Sequence, residues 1–246
     1  MNRRNFTKIT FLGGIATTLP LDLFASIVGD SISEEELLGK GSPLLHTGTN
    51  YRLRPEAATA FEDMRKAALK DKIQIKAVSS YRDYAHQNRI WERKYNRFRE
   101  SGLSPIASIQ KIIAYSTIPG TSRHHWGTDI DLIDGTPKVN GDVLVPSKFH
   151  GSGPFCDFKE WMDEHSQEFG FYLVYTDTPS RKGFKYEPWH YSYAPLSKKY
   201  LRTYKTLDIK AILQKEQLVG SNDFTSSFIE HYINENILDI NPDLLG

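Results

Sequence analysis

Apolar side chains recur along the chain at two spacings, one helical and one strand-like. After Pro55, a residue suited to a helix start, Phe61 and Ala68 share one helical face, which predicts a helix over residues 55–70. Residues 73–78 alternate apolar and polar side chains, as in a strand with one buried face. Helices are also predicted over residues 83–100, 105–115 and 158–169, and strands over residues 128–132, 171–175 and 186–193.

The pattern also divides the chain into segments. Residues 30–50 are polar and rich in turn residues, which predicts a linker. A domain of mixed helices and strands follows over residues 51–196. Beyond it, helical spacing around residues 207–218 and 224–237 predicts an α-helical C-terminal extension over residues 197–246.

The first 29 residues are predicted to be an export signal. Arg3, Arg4 and Lys8 precede an uncharged apolar segment over residues 9–21, which is shorter than the ~20 residues that span a bilayer. The paired arginines followed by Phe6 resemble a twin-arginine signal, and an ordinary Sec-type signal is the alternative. Either signal would place the mature protein in the periplasm or cell envelope, without a stable membrane anchor after cleavage.

Charge and cysteine content exclude several partners and sites. The 246 residues carry a formal net charge of +1, so nucleic acid or an anionic membrane is not expected as the main partner. The single cysteine, Cys156, excludes an intramolecular disulfide and a zinc site built from cysteines. Candidate chemistry is therefore sought among histidines and carboxylates.

The stretch over residues 122–131 concentrates possible metal ligands. It contains His124, His125, Asp129 and Asp131, and imidazole nitrogens and carboxylate oxygens are ligands that suit zinc. If the two aspartates lie in the predicted strand, both point to the same face, since side chains alternate with period two. This alternation leaves either aspartate open as a ligand.

A second cluster lies about sixty residues later along the chain. Glu187 precedes His190 by three residues, in an aromatic stretch that includes Trp189. A metal ligand beside a carboxylate that takes a proton from metal-bound water is the working pair of zinc peptidases. Because a catalytic zinc takes three protein ligands, the two clusters together predict a zinc hydrolase site.

Three motifs occur in order along the chain. They are Ser-Ser-Tyr-Arg at residues 79–82 with Gln87 downstream, Ser-x-His-x-x-Gly-x-x-x-Asp at residues 122–131, and Glu-x-Trp-His at residues 187–190. This arrangement resembles the VanY-type D-alanyl-D-alanine carboxypeptidases, within the zinc peptidases that include D-Ala-D-Ala dipeptidases and hedgehog-like folds. The resemblance spans roughly residues 51–193. It implies an α+β fold, with a small, mainly antiparallel sheet flanked by helices and one zinc at the sheet surface.

The resemblance also implies roles for individual residues. The zinc ligands, for one Zn²⁺ per chain, would be His124, Asp131 and His190. Glu187 would be the general acid/base. Arg82 would stabilise the negatively charged tetrahedral intermediate or hold a substrate carboxylate, for which its planar guanidinium is suited. Gln87 and Ser122 match positions that line the substrate cleft.

Two residues depart from the family pattern. Asp129 stands where the family often has a small residue, typically alanine. We expect it either to support the metal ligands from behind or to contact a substrate amine. His125 does not match a family ligand, and adjacent residues rarely face one metal together, so we expect it to line the cleft or to have a structural role.

The activity implied by the resemblance is zinc-dependent hydrolysis of a peptide bond in peptidoglycan stem peptides, with removal of a terminal D-alanine. Within the same family, an L,D-carboxypeptidase or a cross-link endopeptidase is the alternative. A non-catalytic, zinc-containing wall-binding module is an alternative from another class, and Glu187 argues against it because binding needs no proton shuttle. A metal phosphoesterase is less favoured, since such sites often use two metals and more carboxylates. The oligomeric state does not follow from the sequence.

Overall fold

A four-stranded antiparallel sheet lies at the centre of the computed structural model, which describes residues 32–246. A separate two-stranded hairpin precedes it. The strands are β1 (His46–Gly48), β2 (Tyr51–Leu53), β3 (Ile75–Ser79), β4 (Asp129–Asp134), β5 (Phe171–Leu173) and β6 (His190–Tyr193). The order across the main sheet is β3-β4-β6-β5, with every pair antiparallel. The predicted export signal over residues 1–29 lies outside the described residues.

Helices flank this sheet, which confirms the predicted α+β fold. They are α1 (Glu34–Leu37), α2 (Pro55–Lys70), α3 (Tyr84–Glu100), α4 (Pro105–Ile113), α5 (Cys156–His165), α6 (Ala194–Tyr204), α7 (Ile209–Lys215) and α8 (Ser226–Tyr232). Local chemistry explains several helix starts. The side chain of Asp83 accepts a hydrogen bond from the backbone N–H of His86 at the start of α3, and Pro55 and Pro105 begin α2 and α4. No helix in residues 32–246 is long and apolar enough to span a bilayer.

The two faces of the main sheet differ in chemistry. On β4, Ile130 and Leu132 are buried in an apolar cluster that includes Phe61 from α2 and Phe158 from α5. Tyr191 from β6 joins the same cluster. The alternate residues of both strands point to the opposite face, as the period of a strand requires. One face of the sheet therefore contributes to the core, while the other is free to carry polar chemistry.

The last predicted strand is shorter in the structure. One strand is predicted over residues 186–193, but only His190–Tyr193 pairs in the sheet. The backbone N–H of His190 donates to the carbonyl oxygen of Glu187 at 3.1 Å, which closes a turn just before β6. Because Glu187 lies in this turn and outside β6, the alternation of side chains along the strand does not determine the direction of its side chain.

Residues 32–50 pack more closely than a linker would. Leu37 and Leu38 are buried in an apolar cluster together with Trp126, and the indole N–H of Trp126 donates to the carbonyl oxygen of Leu37. Local composition favours a linker because most of these residues are polar. The two leucines are nevertheless sufficient to hold α1 against the domain.

The C-terminal helices pack against α3 and α4 rather than standing apart. The indole N–H of Trp91 in α3 donates to the carbonyl oxygen of Val219 at 2.9 Å. Phe224 packs edge-on against the ring of Trp91, with ring centroids 6.0 Å apart. Beyond α8 the chain continues as a π-helical turn over Ile233–Ile237. The predicted helical extension is thus part of the same apolar cluster as α3 and α4.

The burial of Leu37 can be tested by stability. We expect Leu37→Ala to lower the free energy of unfolding by roughly 2–5 kcal/mol, the usual cost of emptying a fully buried leucine site. Leu44→Ala is the matched control, since that side chain is 74% exposed and its loss changes stability by less than about 0.5 kcal/mol. Urea denaturation of both variants measures the difference. Equal stabilities would show that α1 does not belong to the folded domain.

Candidate active site

Three possible metal ligands from distant parts of the chain meet on the polar face of the sheet. One ligand atom from each of His124, Asp131 and His190 lies within 4.8 Å of the others. Asp131 and His190 are directly opposite each other in the pairing of β4 with β6. Opposed residues in antiparallel strands have side chains in direct reach, so strand register alone brings these two together. His124 arrives from the 3-10 turn Arg123–Trp126, just before β4.

Gly127 makes the approach of His124 possible. It ends the 3-10 turn with φ +70°, a left-handed conformation that L side chains rarely adopt. A Cβ atom at this position would also lie 2.7 Å from Cδ2 of Leu45. The chain therefore reverses tightly between His124 and β4 only because residue 127 has no side chain.

Each imidazole is held through the nitrogen that faces away from Asp131. His124 Nδ1 lies 2.8 Å from the carbonyl oxygen of Ser80, and Nε2 lies 3.6 Å from Asp131 Oδ2. His190 Nε2 lies 3.1 Å from Asp129 Oδ2, and Nδ1 lies 3.9 Å from Asp131 Oδ1. Partners of this kind set the tautomer and orientation of metal-binding histidines. The three residues thus direct His124 Nε2, His190 Nδ1 and the Asp131 carboxylate towards one position.

The donor set suits a cation. Asp131 Oδ1 is buried and has no hydrogen-bond partner, an arrangement that costs free energy unless a cation or another ligand satisfies the oxygen. Burial alone would lower the pKa of His190, but hydrogen bonds to Asp129 and Glu187 raise it to about 9. The same negative potential favours a divalent cation. Two imidazoles and one carboxylate are a zinc ligand set.

Glu187 lies beside this position. Its Oε2 is 3.0 Å from His190 Nδ1, and the side chain is buried. Burial raises the pKa of the Glu187 carboxyl above its usual range, although His190 opposes the change. A carboxyl whose pKa is raised towards neutrality is suited to accept and return a proton. The structure therefore places the predicted acid/base next to the predicted ligands.

Asp129 faces a buried polar cluster behind His190. Arg123 Nε donates to Asp129 Oδ2 at 2.8 Å, while Thr128 Oγ1 and Ser192 Oγ donate to Asp129 Oδ1 at 2.8 and 2.7 Å. Burial alone would raise the pKa of Asp129, but Arg123 and His190 hold it below its usual range. Asp129 is fully buried, so the prediction that it contacts a substrate amine is wrong. The other predicted role, support of a metal ligand from behind, agrees with its contact to His190.

Sequence reasoning missed Arg123, although a signal was present. The guanidinium also donates from Nη2 to Ser192 Oγ at 2.7 Å and lies over the Trp126 ring at 4.7 Å. A buried carboxylate at an unusual position requires a counter-charge, and Arg123 is the cation nearest to it in sequence. Asking which cation balances Asp129 would have identified it.

His125 has a structural role. It is fully buried, its Nδ1 lies 2.7 Å from the carbonyl oxygen of Arg82, and its Nε2 accepts from the backbone N–H of Gly120 at 3.2 Å. Burial lowers its pKa to about 3, which keeps the ring neutral. His125 therefore joins the Arg82 segment to the loop before the metal cluster and does not line the cleft.

A cleft of about 780 Å³ opens onto the metal cluster. All but one of the predicted site residues line it, namely Arg82, Ser122, His124, Asp131, Glu187 and His190. The Oγ atom of Ser122 and the Nε atom of Arg82 are buried without hydrogen-bond partners. Burial lowers the pKa of the Arg82 guanidinium, while Asp131 and Glu187 oppose this effect. Both residues therefore line the cleft and carry a buried polar atom that no protein group satisfies.

Gln87 is the predicted cleft residue that the structure places elsewhere. It is fully buried and does not line the cleft. Its Nε2 donates to the carbonyl oxygen of Thr117 at 2.8 Å, and Thr117 itself lines the cleft. The assignment of Gln87 as a substrate-lining residue is therefore corrected: from inside α3 it supports the loop that forms a wall of the cleft.

Comparison with known proteins agrees with this arrangement. Residues 50–196 match the family model of VanY, D-alanyl-D-alanine carboxypeptidase. An uncharacterized protein of Haemophilus influenzae is 30% identical over 123 residues, which cover 49% of this chain and 93% of that protein. A D-alanyl-D-alanine carboxypeptidase of Enterococcus faecalis is 28% identical over 134 residues, which cover 54% of this chain but only 44% of that protein.

A solved structure shares the fold. It is a mutant of the vancomycin-resistance D,D-pentapeptidase VanY in complex with Zn(II), with a TM-score of 0.51 and 24% identity. The match covers 67% of this chain and 85% of that one.

The buried ion pair behind His190 can be tested without reference to activity. We expect Asp129→Ala to lower the free energy of unfolding by about 3–5 kcal/mol, because it leaves the Arg123 guanidinium buried without a counter-charge. The measurement is urea denaturation in the presence of a chelator, so that metal binding does not contribute.

Two further variants serve as controls. Asp63→Ala removes an exposed partner of Lys66 and should cost less than about 1 kcal/mol. The double variant Asp129→Ala with Arg123→Met should lose less than the sum of the two single changes, since they remove one interaction. If Asp129→Ala costs no more than Asp63→Ala, the ion pair does not stabilise the site.

Proposed function

Because the chain belongs to the VanY family of D-alanyl-D-alanine carboxypeptidases and is a metallopeptidase, we propose that it removes the terminal D-alanine from peptidoglycan stem peptides. One zinc ion per chain would serve the reaction. The convergence of His124, Asp131 and His190 beside Glu187 is the observation that carries the proposal. The family description and the Zn(II) complex of a structural relative support it.

The three ligand residues would hold zinc through His124 Nε2, His190 Nδ1 and the Asp131 carboxylate. When bound in such a site, zinc acts as a Lewis acid and lowers the pKa of a water molecule to around 7. The protein's contribution is orientation. Ser80 and Asp129 hold the far nitrogens of the two imidazoles, so that the near nitrogens face Asp131.

Glu187 and Arg82 would perform the remaining steps. The Glu187 carboxylate can take a proton from the attacking water and deliver it to the departing amine of D-alanine. Arg82 lines the same cleft, and its guanidinium can stabilise the negative charge that develops on the carbonyl oxygen of the cleaved bond. Its backbone is held in place, since the Arg82 N–H donates to the carbonyl oxygen of His124 at 3.2 Å.

We expect wild-type protein to release one D-alanine from a stem pentapeptide that ends in D-Ala-D-Ala. Glu187→Gln should lower turnover by about 10²–10⁴-fold and retain zinc, because it removes the proton acceptor and no ligand. His190→Ala should lose both zinc and turnover. Mass spectrometry of the digest and metal analysis of the purified proteins measure these outcomes.

Glu164→Gln is the matched control, since that side chain is 77% exposed, and it should behave as wild type. Loss of D-alanine only from a tetrapeptide would indicate an L,D-carboxypeptidase, and conversion of cross-linked dimers to monomers would indicate an endopeptidase. Full turnover by Glu187→Gln would contradict the assigned proton transfer. Absence of turnover on every muropeptide would leave the wall-binding alternative.

We also propose that the protein acts outside the cytoplasmic membrane, where peptidoglycan lies. The support is the arginine pair and the short apolar segment that follows it. Replacing Arg3 and Arg4 together by lysine should retain the protein in the cytoplasm if the route is the twin-arginine one. Arg65→Lys is the control, and fractionation of the native cells measures the distribution. Unchanged export of the double variant would favour the Sec-type signal.

A further inference from the structure

One wall of the cleft is strongly cationic. Five residues on one face of α3 line the cleft. Counted from the first of them, the others follow after three, four, seven and eight positions, and they are Ile90, Arg93, Lys94, Arg97 and Phe98. Lys111 from α4 lines the cleft beside them. The cationic wall consists of Arg93, Lys94, Arg97 and Lys111.

The charges of this wall are not balanced by acidic side chains. Within residues 32–246, none of the four side chains forms an ion pair. Arg97 and Lys111 instead lie over the ring of Phe98, each at 4.9 Å. A cation–π contact positions a cation without neutralising it. The wall therefore presents net positive charge to the cleft.

Lys94 is the least exposed member of the cationic wall. It is half-buried, and its burial together with the nearby Arg82 and Arg97 lowers its pKa, although Glu187 opposes this effect. Keeping an ammonium partly buried among like charges costs free energy unless an anion joins it. Asp131 and Glu187 do not supply that anion, because they face the metal position. Asp142 also lines the cleft, but it accepts from the backbone N–H of Leu144 and forms no ion pair with Lys94.

The reacting end of the cleft already has one cation, Arg82, for the negative charge at the cleaved bond or for the terminal carboxylate of the substrate. The cationic wall on α3 and α4 holds four further positive charges. Low-dielectric walls of one sign concentrate the field inside a cleft and attract ligands of the opposite sign. A second anionic group of the substrate is therefore expected at this wall.

On the basis of the proposed function, we propose that the cationic wall binds a second carboxylate of the stem peptide. The enzyme then prefers stem peptides whose carboxylates are free over those in which a carboxylate is amidated. The wall selects among peptidoglycan substrates and takes no part in cleavage of the bond.

Two synthetic stem pentapeptides that both end in D-Ala-D-Ala test this preference. They differ only in the D-glutamate residue, whose α-carboxylate is free in one peptide and amidated in the other. We expect the amidated peptide to show a KM about five- to tenfold higher, from the loss of one partly desolvated ion pair. Added salt should reduce the difference, because it screens the wall.

Charge-neutral variants connect the preference to the wall. Lys94→Gln, and separately Arg93→Gln with Arg97→Gln, should lower the ratio of the two KM values towards one. Arg89→Gln is the matched control, because it removes the same charge from an exposed position of α3 that does not line the cleft. It should leave the ratio as in wild type.

The outcomes separate this inference from the proposed function. Cleavage of both peptides by wild type with equal KM overturns the wall as a carboxylate subsite and leaves the proposed function intact. Cleavage of neither peptide contradicts the proposed function itself. An unchanged KM ratio in both wall variants, or an equal decrease in the Arg89→Gln control, also overturns the inference.

Discussion

The pairing of β4 with β6 is the constraint on which the site depends. Its register sets Asp131 opposite His190 and Asp129 opposite Ser192, so one face of two strands carries both a candidate ligand pair and the polar cluster behind it. The other face of the same strands is apolar and buried against α2 and α5. A shift of one residue would exchange the two faces. Burial of Ile130 and Tyr191 therefore stabilises the only register that assembles the site.

The buried polar cluster behind His190 orients this candidate metal ligand. Arg123 donates to both Asp129 and Ser192, Ser192 donates to Asp129, and Asp129 holds the far nitrogen of His190. A buried ion pair is seldom a net gain in stability, because desolvation offsets the attraction of the charges. Here the ion pair orients the imidazole of His190. Its role is to fix the geometry of a candidate metal ligand rather than to add stability.

Strand alternation was enough to predict which face of the sheet is polar, and the two clusters of histidines and carboxylates predicted a zinc site. The choice of His124 over His125 came from the family resemblance. The choice of Asp131 over Asp129 needed the family pattern, since both aspartates share a face. Gln87 could not be placed from local sequence, because its partner Thr117 is distant in the chain. Arg123 is recognisable from local sequence only once Asp129, six residues later, is taken to be buried. The burial of Leu37 could not be predicted for the same reason as the placement of Gln87. Whether two adjacent leucines in a polar segment are buried depends on which distant residues pack against them.

The cleft also depends on residues beyond the part that matches the family model, which ends at residue 196. The Tyr232 hydroxyl accepts from the Ile118 N–H at 3.0 Å, and the Tyr204 hydroxyl donates to the carbonyl oxygen of Gly120 at 2.9 Å. Asn236 Nδ2 donates to the carbonyl oxygen of Ile113 at 3.0 Å. These contacts hold the chain on both sides of residues 114–117, which line the cleft in the loop that connects α4 to the His124 turn. The sheet positions the reacting groups, whereas the C-terminal helices position the loop before the His124 turn, which forms the side of the cleft that a substrate must fit.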